Sequence, residues 1–77
     1  MVIIIKILRQ ERELMKLAEN LKTYREARGL TQEALAKKTG ISQVMISRCE
    51  AGMKIPSLAV LIEIARVLET SIDELVK

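Results

Sequence analysis

Histidine, tryptophan and phenylalanine are absent from this chain, and cysteine, proline and tyrosine occur once each. Without histidine, Ser–His and Cys–His nucleophile pairs are excluded. One cysteine, Cys49, leaves a zinc or haem site dependent on carboxylates alone, and the sequence shows no cluster of them. The same single cysteine excludes an intramolecular disulfide and fits a reducing cytoplasm. With Tyr24 as the only aromatic, the core must be aliphatic and largely helical. Repeats, low-complexity stretches and linkers are missing as well. The apolar run at the N-terminus, Val2 to Leu8, is too short to span a bilayer and lacks the features of a signal peptide. Neither a cofactor nor a metal is expected, and no enzyme can be assembled from these parts.

What remains is a chain of 77 residues, one small domain whose core is marginal unless idealised or shared with a partner. Its net charge is only +3, but the distribution is uneven. Residues 21–56 hold seven basic side chains (Lys22, Arg25, Arg28, Lys37, Lys38, Arg48, Lys54) against three acidic ones, a balance of +4. Residues 57–77 hold two basic against four acidic, a balance of −2. Positive charge therefore collects in the middle of the chain, where it attracts phosphate or simply forms a solvated surface.

That middle contains the organising stretch, Gln32 to Ala51, QEALAKKTGISQVMISRCEA. Thr31 is an N-cap ahead of an apolar stripe begun by Leu35 and Ala36. Gly40 stops the first helix, since glycine takes the left-handed C′ conformation without steric cost. Ser42 caps a second helix, whose Val44 or Met45, Ile46 and Cys49 can face inward. Counted from Gln32, a small residue falls fifth, glycine ninth and a β-branched apolar residue fifteenth. Two short helices crossing steeply must bring their backbones close, so the small fifth residue matters. The pattern is a helix-turn-helix.

Taken in order, Val2 to Leu8 (VIIIKIL) is β-branched and argues for a strand, with Ile3, Ile5 and Ile7 on one face. No second strand-like segment is present, so a partner chain would have to pair with it. An antiparallel ribbon across a homodimer axis, carried by Val2, Ile3, Ile4, Ile5 and Ile7, is one expectation. The other is that residues 6 onward extend helix 1. Residues 1–9 are thus set apart as a dimerisation arm, and 10–77 as the domain proper. From Gln10 to Arg28 the period is helical, with Leu14, Leu17 or Ala18, Leu21 and Tyr24 on one face, and surface pairing of Glu13 with Lys16 or Leu17 and of Glu19 with Lys22. Gly29 ends this helix and Gly52 the recognition helix. Ser57 caps a fourth helix with a stripe of Leu58, Leu61, Ile62, Ala65 and Leu68, Ile64 nearby. Ser71 to Glu74 spells a capping box for a fifth.

Three segments, LKTYREARGLTQEALAKKTGIS, ISRCEAGMKIPS and LIEIARVLETSIDEL, carry a resemblance. Residues 21–77 resemble the DNA-binding domain of the phage repressor and Cro group, the xenobiotic-response-element type. The resemblance implies an all-α, five-helix lambda-repressor-like fold, here with the strand-like arm added. It implies that Gln32 contacts a backbone phosphate at a helix N-terminus. Gln43, first in the recognition helix and just after Ser42, would read an adenine edge. Val44, where relatives often carry a polar reader, would touch a thymine methyl. Ser47 and Arg48 lie one turn on, with arginine gripping guanine or phosphate. Lys54, in the loop after the recognition helix, would hold the backbone. Arg25 is implied to pair with Glu50 and pin the recognition helix to the scaffold. Outside this motif, each of these residues reads as ordinary surface, and Met45 and Cys49 as core.

The expected function is a sequence-specific regulator of transcription: a cytoplasmic homodimer on double-stranded DNA, repressing from a near-palindromic operator. Two other expectations are an antitoxin, whose arm also holds a toxin, and a protein–protein adaptor reusing the fold without DNA.

Overall fold

The computed structural model describes residues 2–77 and contains five helices: α1 Val2–Ala27, α2 Gln32–Thr39, α3 Gln43–Glu50, α4 Leu58–Leu68 and α5 Ile72–Val76. Four of them begin at a side-chain cap that satisfies an otherwise orphaned amide. Thr31 Oγ1 accepts from the Ala34 amide at 3.0 Å, Ser42 Oγ from Met45 at 3.1 Å, Ser57 Oγ from Val60 at 3.3 Å and Ser71 Oγ from Glu74 at 3.1 Å. The capping box of α5 is half formed. Glu74 does not reach back; its carboxylate accepts instead from the Tyr24 hydroxyl at 3.1 Å and from Lys77 at 3.0 Å.

Helix ends are equally local. Gly40, at φ 74°, donates its amide to Ala36 and turns the chain between α2 and α3. Gly52, at φ 73°, closes α3 with the paired bonds Gly52 to Cys49 and Met53 to Arg48. The end of α4 has the same bonding pattern, Glu69 to Arg66 and Thr70 to Ala65, but with Glu69 at φ 55° in the position where glycine is at ease. Arg28 braces that end. Its Nε donates to the Leu68 carbonyl at 2.9 Å, and its Nη1 lies 2.8 Å from the Glu69 carboxylate.

The core is aliphatic throughout. Leu17 and Leu21 of α1 meet Leu35 of α2, Ile46 and Cys49 of α3, Leu61, Ile64, Ala65 and Leu68 of α4, and Leu75 of α5. On α4 the buried stripe is rotated from the expected one: Ile64 is fully buried, whereas Leu58 and Ile62 are exposed. Both faces of that helix are apolar, so periodicity alone does not fix which one turns inward. The expected pairs of Glu13 with Lys16 and Glu19 with Lys22 are not among the ion pairs of the described residues.

The expected strand at the N-terminus is corrected. Val2, Ile3, Ile4, Ile5 and Ile7 belong to α1, which runs unbroken through residues 9 and 10 into the domain. A helix satisfies the backbone groups within the segment, whereas a strand in this chain would have no neighbour to bond. Residues 2–13 are all exposed, and the molecule measures 43 × 22 × 20 Å because α1 projects beyond the other helices.

Candidate nucleic-acid interface

The turn at Gly40 sets α3 across α2, and burial of Ile46 and Cys49 fixes which side of α3 faces inward. The opposite side then carries Gln43, Val44, Ser47 and Arg48, all exposed. Together with Gln32, at the N-terminus of α2, these four line one shallow recess. Residues eleven or more apart in sequence are thus gathered on a single face. Ser42 stands at its edge, where its oxygen is occupied by the Met45 amide and its hydroxyl proton remains free to donate. Lys54 lies exposed in the loop beyond α3.

Behind the recess sits an ion pair. Arg25 Nε donates to Glu50 Oε2 at 2.6 Å and Nη2 to Oε1 at 2.9 Å, while Nη1 donates to the Leu30 carbonyl at 2.7 Å. Both side chains are nearly sealed, at 10% and 4% exposure. The hydrogen bonds to Glu50 raise the Arg25 pKa, against the opposing effect of burial. All five guanidinium protons belong to one planar fork, so three bonds to two segments fix the direction of α3 relative to α1.

The pair reaches the surface through a residue that sequence reasoning placed on DNA alone. Gln32 Nε2 donates to Glu50 Oε1 at 3.2 Å, so one amide proton is held from behind. The second amide proton and the carbonyl oxygen remain for a ligand. Arg25 also neutralises the carboxylate that lies beneath the recess. No acidic residue occupies the first turn of α3, and neither Arg48 nor Lys54 takes part in an ion pair among the described residues. Such a surface presents free donors and unpaired positive charge, the chemistry that suits phosphate oxygens and base edges.

Cys49, on the inward face of α3, is fully buried. Burial pushes its thiol pKa up; Lys54 opposes this and Glu50 adds to it. A buried thiol of raised pKa is a packing residue. Among the described residues, no group of His, Cys, Asp or Glu side chains could hold a metal ion, and no helix is long and apolar enough to cross a membrane.

Comparison with known proteins agrees with this geometry. A model of the helix-turn-helix family, HTH_3, matches residues 21–75. The chain is 40% identical over 55 residues to the uncharacterized HTH-type transcriptional regulator YazB of Bacillus subtilis, covering 71% of this chain and 80% of that protein. It is 41% identical over 61 residues to the cryptic phage CTXphi transcriptional repressor RstR of Vibrio cholerae, covering 79% of this chain and 54% of the repressor, so it spans about half of that relative's length. Among solved structures, the restriction-modification controller protein C.AhdI of Aeromonas hydrophila superposes with a TM-score of 0.79 at 31% identity, covering 83% of this chain and 97% of the controller.

Proposed function

Because the chain belongs to the helix-turn-helix family, we propose that it regulates transcription by binding DNA sequence-specifically, as a homodimer that represses from a near-palindromic operator. One observation carries this reading: Gln32, Gln43, Val44, Ser47 and Arg48 share one exposed recess, and the Glu50 carboxylate that holds Gln32 is neutralised by Arg25.

In this reading α3 enters the major groove and α2 crosses the backbone. The amide of Gln32, aimed by Glu50, donates its second proton to a phosphate. Gln43 bonds N6 and N7 of an adenine, and Val44 packs on a neighbouring thymine methyl. Arg48 reaches guanine or a phosphate, Ser42 and Ser47 donate hydroxyl protons, and Lys54 neutralises a phosphate further along. One recognition helix makes too little contact for tight specific binding, so two copies act together. Two-fold symmetry sets the half-sites one helical turn, about 34 Å, apart. The protein acts in the cytoplasm, where DNA and a reduced thiol coexist. The repressor RstR among the relatives supports repression as the mode of action.

The test is selection of preferred sites from a random DNA pool, with the parent chain and with Gln43→Ala and Arg48→Ala. The parent should enrich a near-palindromic site. Gln43→Ala should relax one position in each half-site, at a cost of about 1–3 kcal/mol per bidentate contact. Absence of any enriched sequence at moderate salt would overturn the reading.

A further inference from the structure

The first twelve described residues of α1, about 18 Å of helix, are all exposed, and of them only Gln10 and Glu13, near the domain, line a groove against it. Six of them are large and apolar, with Ile3 73% and Ile4 61% exposed and Val2, Ile5, Ile7 and Leu8 between 49% and 67%. A short run rich in β-branched residues has little intrinsic helical stability in water, and most helical stability comes from packing an apolar face. The segment also lies before the family match, which starts at residue 21, and the C.AhdI superposition leaves about a sixth of this chain uncovered.

The apolar positions are ordered. Ile3, Ile7, Gln10, Leu14, Leu17 and Leu21 alternate at four- and three-residue spacing, the seam of a helix pair. Leu17 and Leu21 use that seam inside the domain, and Leu14 is half-buried at its exit. Beyond Leu14 the seam is open. At its base an open groove is lined by Leu14, Leu17, Ile55, Leu61 and Val76.

We propose that the occupant of this seam is the same segment of a second copy, lying antiparallel. Ile3 then packs against the partner's Leu14 at the groove mouth, beside the partner's Ile55 and Val76, and Ile7 packs against the partner's Gln10. That register brings Lys6 alongside the partner's Glu13, twice by symmetry, so the flanking charges are complementary. The exposed apolar side chains of each segment, with the groove at its base, supply the apolar surface such a contact covers. Gln10 on an otherwise apolar seam favours one register over its neighbours. This inference deepens the homodimeric reading above and rests on it for the need of two recognition helices.

Sedimentation of the full chain at micromolar concentration tests it. The parent should be a dimer. Ile7→Glu, which lies outside the core, should raise the dissociation constant about a hundredfold or more while circular dichroism still reports the folded domain. Ile55→Glu, in an exposed loop, should weaken the dimer as well. Lys6→Glu should weaken it, and adding Glu13→Lys should restore it. A monomeric parent, an Ile7→Glu variant that stays dimeric, or an Ile55→Glu variant indistinguishable from the parent would overturn the antiparallel pairing. So would a parent whose α1 is occupied by a different small protein that co-purifies. A monomeric parent that still selects a DNA sequence ends this inference and leaves DNA reading intact; a dimer that selects none does the reverse.

Discussion

Arg25 joins the scaffold to the proposed recognition surface through Glu50 and Gln32. Its removal leaves Glu50 buried, charged and unpaired. Arg25→Ala should therefore cost about 3 kcal/mol, a fall in melting temperature on the order of 15 °C in a domain of this size. An unchanged melting curve would remove the pair from the account. Because Glu50 also holds Gln32, the losses in DNA affinity from Arg25→Ala and Gln32→Ala should not add; a double-mutant cycle reads the coupling. Lys54→Ala should act differently, weakening all sequences alike and reducing the salt dependence of binding by about one counterion. Cys49 gives a pH signature. Burial raises its pKa in the folded state, so folding favours the neutral thiol, and that contribution is full below the unfolded value of about 8.5 and is lost as pH rises above it. Stability measured by denaturant should decline in that alkaline range. Cys49→Ala should lower stability overall but flatten this decline.

At the scale of the element, the helix ends are where local chemistry decides most. Glu69 occupies a left-handed C′ position with a side chain that disfavours it. Glu69→Gly relieves that strain and loses only an exposed pair with Arg28, so it should stabilise the domain by about 0.5–1 kcal/mol in thermal unfolding. The starts of α2, α3, α4 and α5 and the stops of α2 and α3 were legible in sequence because Thr31, Ser42, Ser57, Ser71, Gly40 and Gly52 act on amides and carbonyls within a few residues of themselves; the stop of α4 at Glu69 carries no such signal. The N-terminal segment was not, since a β-branched run satisfies the strand pattern and an extended helix equally at short range. Its outcome turned on whether a neighbour existed to bond. The choice of Ile64 over Leu58 and Ile62 depended on how α4 docks, and the Gln32–Glu50 bond joins residues eighteen apart. Both are properties of packing. The recess itself was legible, because helical spacing puts Gln43, Ser47 and Arg48 on the side opposite Ile46 and Cys49.

For the whole molecule, charge and exposed apolar surface fall at two different ends. The basic face of α2 and α3 is polar and open, while the projecting end of α1 is apolar and open. A dimer that hides the second end leaves the first free. DNA affinity should then depend on protein concentration, and operator occupancy should rise more steeply than for a single site. Ile7→Glu should make the isotherm shallow and lower the affinity for a full operator, with the preference within each half-site retained. Electrophoretic titration against full and half operators distinguishes these outcomes.

Tyr24 gives the molecule an optical property of its own. It is the one aromatic side chain in the chain, and its hydroxyl donates to the Glu74 carboxylate across the contact between α1 and α5. A carboxylate accepting that proton quenches tyrosine emission, so the folded protein should be dim near 300 nm and brighten when α5 detaches. Detachment of the C-terminal helix can thus be followed by intrinsic emission, without a label and without interference from any tryptophan.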